Sequence, residues 1–328
     1  MNNQNTSVFV DPQTKEKLTS KGNTLVSSTS IYNCNNNNIP NLIFPSVLAE
    51  EDQHSKNFYQ GRAQQYDDTL HLTFFTHSQN EENVRESFID KLKIRENSKV
   101  LEIACGTGRD SVLIAKRLSS NGELHVQDIS EDMINLCYDK LKELDIKKSF
   151  CLSNAIYLPY EDNYFDATYS FGAMGEFSDK KQAIKEMVRV TKPGGKIVFG
   201  DESVPVWLRN TIYYKILITT NPMFSADPPF NDIPVEARNV NIQWVIGSTF
   251  YLMDFEVGDG EPTANFDFEI PGVRGGTYRT RFEGALEGVK KKTKELAYQA
   301  AKAKGLSMHD WLDSIVSEKA KKDLNITN

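Results

Sequence analysis

Five acidic residues stand where short apolar runs give out. Glu102 lies inside Val100-Leu101-Glu102-Ile103-Ala104, two residues before that run ends, where a carboxylate is costly unless paired. Asp128 closes Leu124-His125-Val126-Gln127-Asp128, about 20 residues past Gly106-Thr107-Gly108, the separation at which an acid accepts hydrogen bonds from ribose hydroxyls. Glu176 and the pair Asp201-Glu202 follow later apolar runs. Each is a candidate general base or substrate hydrogen-bond partner, although acids at such ends often only cap neighbouring helices. Gly106 and Gly108 let the backbone turn tightly and let a ligand touch the main chain. Ser111 stands where a dinucleotide fingerprint has its third glycine, so no pyrophosphate is demanded and a nicotinamide-linked dehydrogenase is disfavoured.

These residues must be positioned by alternating elements. Apolar, β-prone runs predict strands near 99–104, 123–128, 149–152, 165–170 and 195–201. Helical spacing predicts helices near 81–94, 110–119, 131–143 and 180–190, the last with Ala183, Ile184, Met187 and Val190 on one face. Alternating strand and helix implies an α/β fold, a parallel sheet with helices on both faces. Ligands of such sheets bind at the carboxyl ends of the strands, which here carry 104–108, 128–129, 154–155, 171–176 and 200–202.

Glu102-Ile103-Ala104-Cys105-Gly106-Thr107-Gly108 resembles the first motif of class I S-adenosylmethionine (SAM) methyltransferases. Asp128-Ile129-Ser130 with Met133 is similar to their second acidic loop, and Asn154-Ala155 with Leu158-Pro159-Tyr160 and Phe165-Asp166 to their adenine loop and fourth strand. Arg189-Val190 and Lys192-Pro193-Gly194-Gly195 resembles the turn into their fifth strand. The resemblance covers roughly 55–202 and is nearest to ubiquinone/menaquinone-type C-methyltransferases. It implies a Rossmann-like sheet with SAM as cofactor. Glu102 and Gly106 would hold the methionine end, Asp128 the ribose, and Ile129, Met133, Asn154 and Ala155 the adenine, with Ala104, Thr107, Gly108 and Phe171 as further cofactor-binding residues. Phe171 and Glu176 would then face the acceptor, with Asp201 a second catalytic candidate. Phe58 to Asp67 resembles the segment that folds over bound SAM. Tyr59 and Tyr66, seven apart, fall on one helical face and either stack near the cofactor or only pack.

The chain has 328 residues and a formal net charge of −7, which disfavours a general nucleic-acid binder. The N-terminus lacks a charged-then-apolar leader, and no stretch approaches a membrane span. Cys34, Cys105, Cys137 and Cys151 have no Cys-x-x-Cys spacing; free thiols in a cytoplasmic protein are expected, with no zinc site. A metal reading of Asp201 and Glu202 is disfavoured, and no metal is expected.

Residues 1–46 read as a small β module, with strands at 8–10, 24–26 and 30–32. It resembles the zinc-ribbon-like domain of methyltransferase activator subunits, but Asp11 and Thr14 stand where that fold often places its first two cysteines. The methyltransferase domain is expected over 47–328, with 203–285 as a substrate-side insertion. There, 206–218 reads as a helix, 221–234 as a long loop or lid, and 249–257 and 265–270 as half-buried strands. Arg274, Arg279 and Arg281 at near-strand spacing are either a charged edge strand or a clamp for an anionic substrate. From 286 the chain is helical, and Met308, Trp311, Leu312, Ile315 and Val316 form a docking stripe on the final helix. The expected function is methyl transfer to O, N or C of a small aromatic or prenylated acceptor. The alternatives are a tRNA or protein methyltransferase that docks through residues 1–46, and a catalytically silent SAM-binding protein.

Overall fold

The structure, a computed structural model, describes residues 6–271, 275–286 and 288–326. It divides into two compact units, Met1–Pro262 and Thr263–Asn328.

The first unit opens with an antiparallel meander of β1 (Thr6–Val10), β2 (Lys17–Lys21), β3 (Thr24–Val26) and β4 (Ile31–Asn33). Its first turn is organised by Asp11, which is fully buried. Asp11 Oδ1 accepts the backbone N–H groups of Gln13 and Thr14, each at 2.9 Å. Oδ2 accepts the hydroxyls of Ser27 at 3.2 Å and Tyr32 at 3.0 Å. Asp11→Ala leaves these donors without their acceptor, and a loss of at least about 2 kcal/mol is expected on chemical denaturation. Phe9, Leu18, Leu25 and Leu42 are packed in one core with Leu101 and Ile103 of the larger sheet and with Leu158 and Tyr160 of a loop beside it.

Four short helices follow: α1 (Glu50–Tyr59), α2 (Ala63–Thr69), α3 (His71–Thr76) and α4 (Glu81–Asp90). The large sheet then builds up through β5 (Lys99–Ile103), α5 (Arg109–Ala115), β6 (Glu123–Asp128), α6 (Glu131–Leu141), β7 (Lys147–Leu152), β8 (Phe165–Phe171), α7 (Lys180–Val190) and β9 (Thr191–Glu202). After α8 (Ile212–Thr220), β10 (Ala237–Val245) and β11 (Phe250–Val257) complete it. The order is β10-β11-β9-β8-β5-β6-β7. Strands β5 to β9 are parallel, and β11 runs antiparallel to both its neighbours. The mixed sheet with its helices is a Rossmann-like α/β fold, as the alternating pattern predicts. The β7 edge is covered from the N-terminal side: Leu42 N–H donates to Leu152 O at 2.7 Å and Leu152 N–H to Pro40 O at 2.9 Å.

Several expectations beyond 203 need correction. The helix expected over 206–218 is broken into a short turn at Val206–Leu208 and α8. Strand β10 has no alternating pattern; it is an edge strand with a register shift between Arg238 and Asn241. In the second unit, 265–270 is not a strand. Phe266 and Phe268 alternate with polar residues but both are exposed. Arg279 and Arg281 lie on a helix, α9 (Tyr278–Glu283), because Thr277 caps it. Their guanidinium groups are engaged locally, Arg279 with Asp267 at 2.7 Å and Arg281 with Gly275 O at 2.8 Å. Arg274 lies outside the described residues. Helices α10 (Lys291–Ala303) and α11 (Met308–Asp323) follow as expected. The stripe on α11 is not a buried docking face, since Val316 is 60% exposed and no residue of that helix is buried. Among the described residues no helix is long and apolar enough to cross a membrane.

Candidate active site

The carboxyl ends of β5, β6, β7 and β8 open into one cleft of about 860 Å³, including its mouth, and α1 and α2 contribute wall residues to it. That size suits a small-molecule ligand. The glycine turn forms the floor. Ala104 leaves β5 at φ +52 and Gly106 follows at φ +53. A left-handed alanine is strained and persists only where surroundings hold it. A Cβ on Gly106 would meet nothing within 4 Å, so the space beside this backbone is open. Gly108 has a different reason: it starts α5 at φ +84, and its Cβ would sit 2.8 Å from Cys137 Sγ on α6. Packing between α5 and α6 therefore requires it, and it does not line the cleft. Gly108→Ala should destabilise the fold by about 1–3 kcal/mol through overpacking, measured by thermal unfolding.

Asp128 is fixed by this turn. Gly106 N–H donates to its Oδ2 at 2.9 Å and Ser130 N–H to its Oδ1 at 2.8 Å. Each oxygen keeps a second lone pair. Burial, reinforced by the Glu176 charge and opposed by the two N–H bonds, raises the carboxyl to about 6. Glu102 Oε2 accepts the Ser111 hydroxyl. Thr107 Oγ1 donates to Asp67 Oδ1 at 2.5 Å, and Asp67 also receives Lys140 at 2.7 Å and Arg109 at 3.0 Å. These bonds tie α2 to the turn.

Ile129, Met133, Asn154 and Ala155 line one side together. Asn154 is engaged at both ends of its amide: Nδ2 donates to Asp52 Oδ2 at 2.8 Å, and Oδ1 accepts Ile156 N–H at 3.2 Å. Asp52 also accepts Ser178 N–H at 3.0 Å and its hydroxyl at 2.8 Å. This buried acid latches α1 across the wall. The sequence gives no sign of it, since 47–60 reads as a charged entry to a helix.

Tyr59 and Tyr66 do not share a helix. The chain breaks at Gly61, φ +73, between α1 and α2. Their rings nonetheless meet edge to face at 5.5 Å on the cleft wall. Tyr59 Oη donates to Glu176 Oε1 at 2.7 Å. Glu176 lines the cleft, and burial pushes its carboxyl above the ordinary range. Phe171 lines the same side, stacked on Phe250 at 5.5 Å. Asp201 lies behind: it accepts Gly175 N–H and, at 2.9 Å, Glu202 N–H, and it does not line the cleft. Its carboxylate faces the turn that carries Glu176. Arg85, Asp110, Gln127 and Ser153 also line the cleft and were not singled out from sequence. The charged groups of the wall are mostly acids, an acceptor set suited to a ligand with hydroxyls and positive charge.

The model of the ubiE/COQ5 methyltransferase family matches residues 48–222. A demethylmenaquinone methyltransferase of Bacillus mycoides is 33% identical over 139 residues, 40% of this chain and 57% of that protein. The ubiquinone/menaquinone biosynthesis C-methyltransferase of Chromobacterium violaceum is 39% identical over 121 residues, 37% of this chain and 49% of that one. The chain thus spans about half the length of the curated relatives it matches. Among solved structures, a Haemonchus contortus phosphoethanolamine N-methyltransferase superposes with a TM-score of 0.50 at 14% identity, over 67% of this chain and 62% of that one. That likeness is one of fold.

Proposed function

The chain belongs to the ubiE/COQ5 methyltransferase family, and on that premise we propose that it binds S-adenosylmethionine in this cleft and methylates O, N or C of a small, partly apolar acceptor. The observation that carries the cofactor reading is the Gly106–Asp128 pair, an open backbone turn whose amide anchors a buried carboxylate at the end of β6. When bound, the cofactor supplies a methyl group on a positively charged sulfur, which a nucleophilic atom of the acceptor displaces in line.

The chain's residues hold, orient and exclude water. Asp128 accepts from ribose hydroxyls with its remaining lone pairs. Asn154, oriented by Asp52, presents the second lone pair of Oδ1 toward the adenine amino group. Ile129, Met133 and Ala155 supply the apolar walls. Tyr59 and Tyr66 cover the reacting centre from α1 and α2, and Phe171 offers a ring face to the acceptor. Glu176 receives the proton that the acceptor loses. Its burial brings it nearer neutrality, which suits a general base. Asp201 is a positioning group, holding the Met174–Glu176 turn through Gly175. Of the curated relatives named above, one is named for demethylmenaquinone and one for C-methylation in ubiquinone/menaquinone biosynthesis, which favours carbon as the accepting atom. The family match ends at 222, so the acceptor side, including 223–262, is where this chain has most room to differ.

Calorimetric titration with SAM and S-adenosylhomocysteine, with NAD as control, tests the reading. Micromolar binding of both adenosyl ligands and none of NAD is expected; no adenosyl binding overturns it. Asp128→Ala should weaken both ligands by about 1.5–3 kcal/mol. Affinity should also rise with pH through about 6, where Asp128 ionises and its oxygens become acceptors only. A flat profile from pH 5 to 7 would remove Asp128 from the ribose site.

A further inference from the structure

Gly175 is the middle residue of the turn Met174–Glu176, one position before the proposed base. A side chain there has no room. Its Cβ would collide with the Met223 methyl and stand 2.9 Å from Asp201 Oδ2. The backbone itself does not require glycine, since φ at this position is not positive. Packing excludes a side chain, because the methyl of Met223 occupies the space.

Met223 belongs to a second turn, Pro222–Ser225, and is the first residue beyond the family match. That turn is fastened to the chain leaving β9. Met223 N–H donates to Asn221 Oδ1 at 2.9 Å, and Val204 N–H donates to Phe224 O at 3.0 Å. The Ser203 hydroxyl and Arg209 Nη2 donate to Ala226 O at 2.6 and 3.1 Å. Phe224 meets Phe250 edge to face at 6.2 Å, and Phe250 stacks on the wall residue Phe171. One anchored turn therefore bears on both acceptor-side groups, on Phe171 through Phe250 and on Glu176 through Gly175.

We propose that Met223 is a positioning residue for Glu176: its methyl holds one side of the Gly175 turn while Asp201 holds the N–H. This rests on the reading of Glu176 as the base. A thioether chain suits the task because it is unbranched and fills an irregular gap. Neither Met223 nor Gly175 lines the cleft, so the action passes through Glu176. A misplacement of about 1 Å can cost on the order of 10²-fold in rate, so a contact behind the wall is sufficient to matter. The position of the base is thereby set from a segment that the family match does not reach.

The test reads Glu176 in the full chain by carbon-13 NMR of labelled glutamate carboxyls over about pH 4 to 8. The signal is assigned by its loss in Glu176→Gln. The groups facing Glu176 are His54, Ser55 and Tyr59 of α1, Tyr66 of α2, Asp128 of β6 and Asp201 of β9, and the test variants leave all of them in place. Burial holds the wild-type midpoint above the ordinary carboxylate range. Met223→Ala should admit water beside the turn and raise the ionisation constant roughly tenfold, with S-adenosylhomocysteine affinity within about threefold of wild type. Gly175→Ala displaces Met223 and should do the same. Gly175→Ala combined with Met223→Ala returns a methyl to the gap, and the constant should come back to within about threefold of wild type. A purely structural role would lower the melting temperature and leave the Glu176 signal unmoved. That result, or a double variant no closer to wild type than the single ones, overturns the proposal. Should Met223→Ala fail to fold, Met223→Val decides by the same criteria. If wild type binds no S-adenosylhomocysteine, the cofactor reading falls and the positioning role with it; if it binds and the carboxyl is indifferent to Met223, only the positioning role falls.

Discussion

Glu176→Gln is expected to bind S-adenosylhomocysteine within about threefold of wild type and to turn over roughly 10²–10⁴-fold more slowly, the usual worth of a positioned general base. The variant keeps the size of the side chain and an oxygen for the Tyr59 hydroxyl, so the wall should stay closed. What it loses is the ability to take a proton. Because burial raises this carboxyl, wild-type kcat should climb with pH as Glu176 ionises and the limb should vanish in the variant. Single-turnover rates with a methyl acceptor from an extract screen measure it. Retained turnover would return Glu176 to a structural role, holding Tyr59 and α1 over the cleft. Tyr59→Phe separates the two, since it removes the hydroxyl donor while leaving the base. Its effect should be smaller than that of Glu176→Gln.

A chain beginning at residue 47 is expected not to fold. Leu18 and Leu42 are fully buried, and they pack in the core that contains Leu101, Ile103 and Tyr160. Each Leu→Ala change at such a site costs about 2–5 kcal/mol, and removing the whole meander exceeds the usual net stability of about 5–15 kcal/mol. It also uncovers the β7 edge that residues 40–42 pair with, inviting aggregation. Lys15 adds a polar tie, donating to Leu158 O at 3.1 Å and to Glu186 at 3.2 Å. Near-ultraviolet circular dichroism and a cooperative melt report the outcome. A folded 47–328 fragment with intact SAM affinity and a lost macromolecular substrate would instead support the docking role for residues 1–46.

What sequence reading reaches and what it misses divide along a physical line. Strand β6 and helix α7 fall at the expected limits, 123–128 and 180–190. In both, the apolar spacing is local and the ends are marked, by Asp128 and by Asp179 accepting Gln182 N–H. Failures occur where a pattern has no partner to pack on. Phe266 and Phe268 alternate like a strand, but among the described residues of the second unit no strand forms. Strand β10 does the reverse: it has no alternating pattern, yet Asn241 to Val245 form a strand because β11 supplies the ladder. Tyr59 and Tyr66 meet although Gly61 breaks the helix that was to align them.

By itself the sequence determined the order of strands and helices over 81–202, the glycine turn, and the acids at the strand ends. All of these follow from the periodicity of burial and from steric rules within a few residues. The tertiary structure alone decided which acids face the cleft. Asp201 points away to hold Gly175, Asp52 reaches across 102 positions to Asn154, and Asp110 keeps an oxygen without a hydrogen-bond partner among the described residues. Such choices depend on partners distant in the chain, and a carboxylate's role is set by what surrounds it once it is buried.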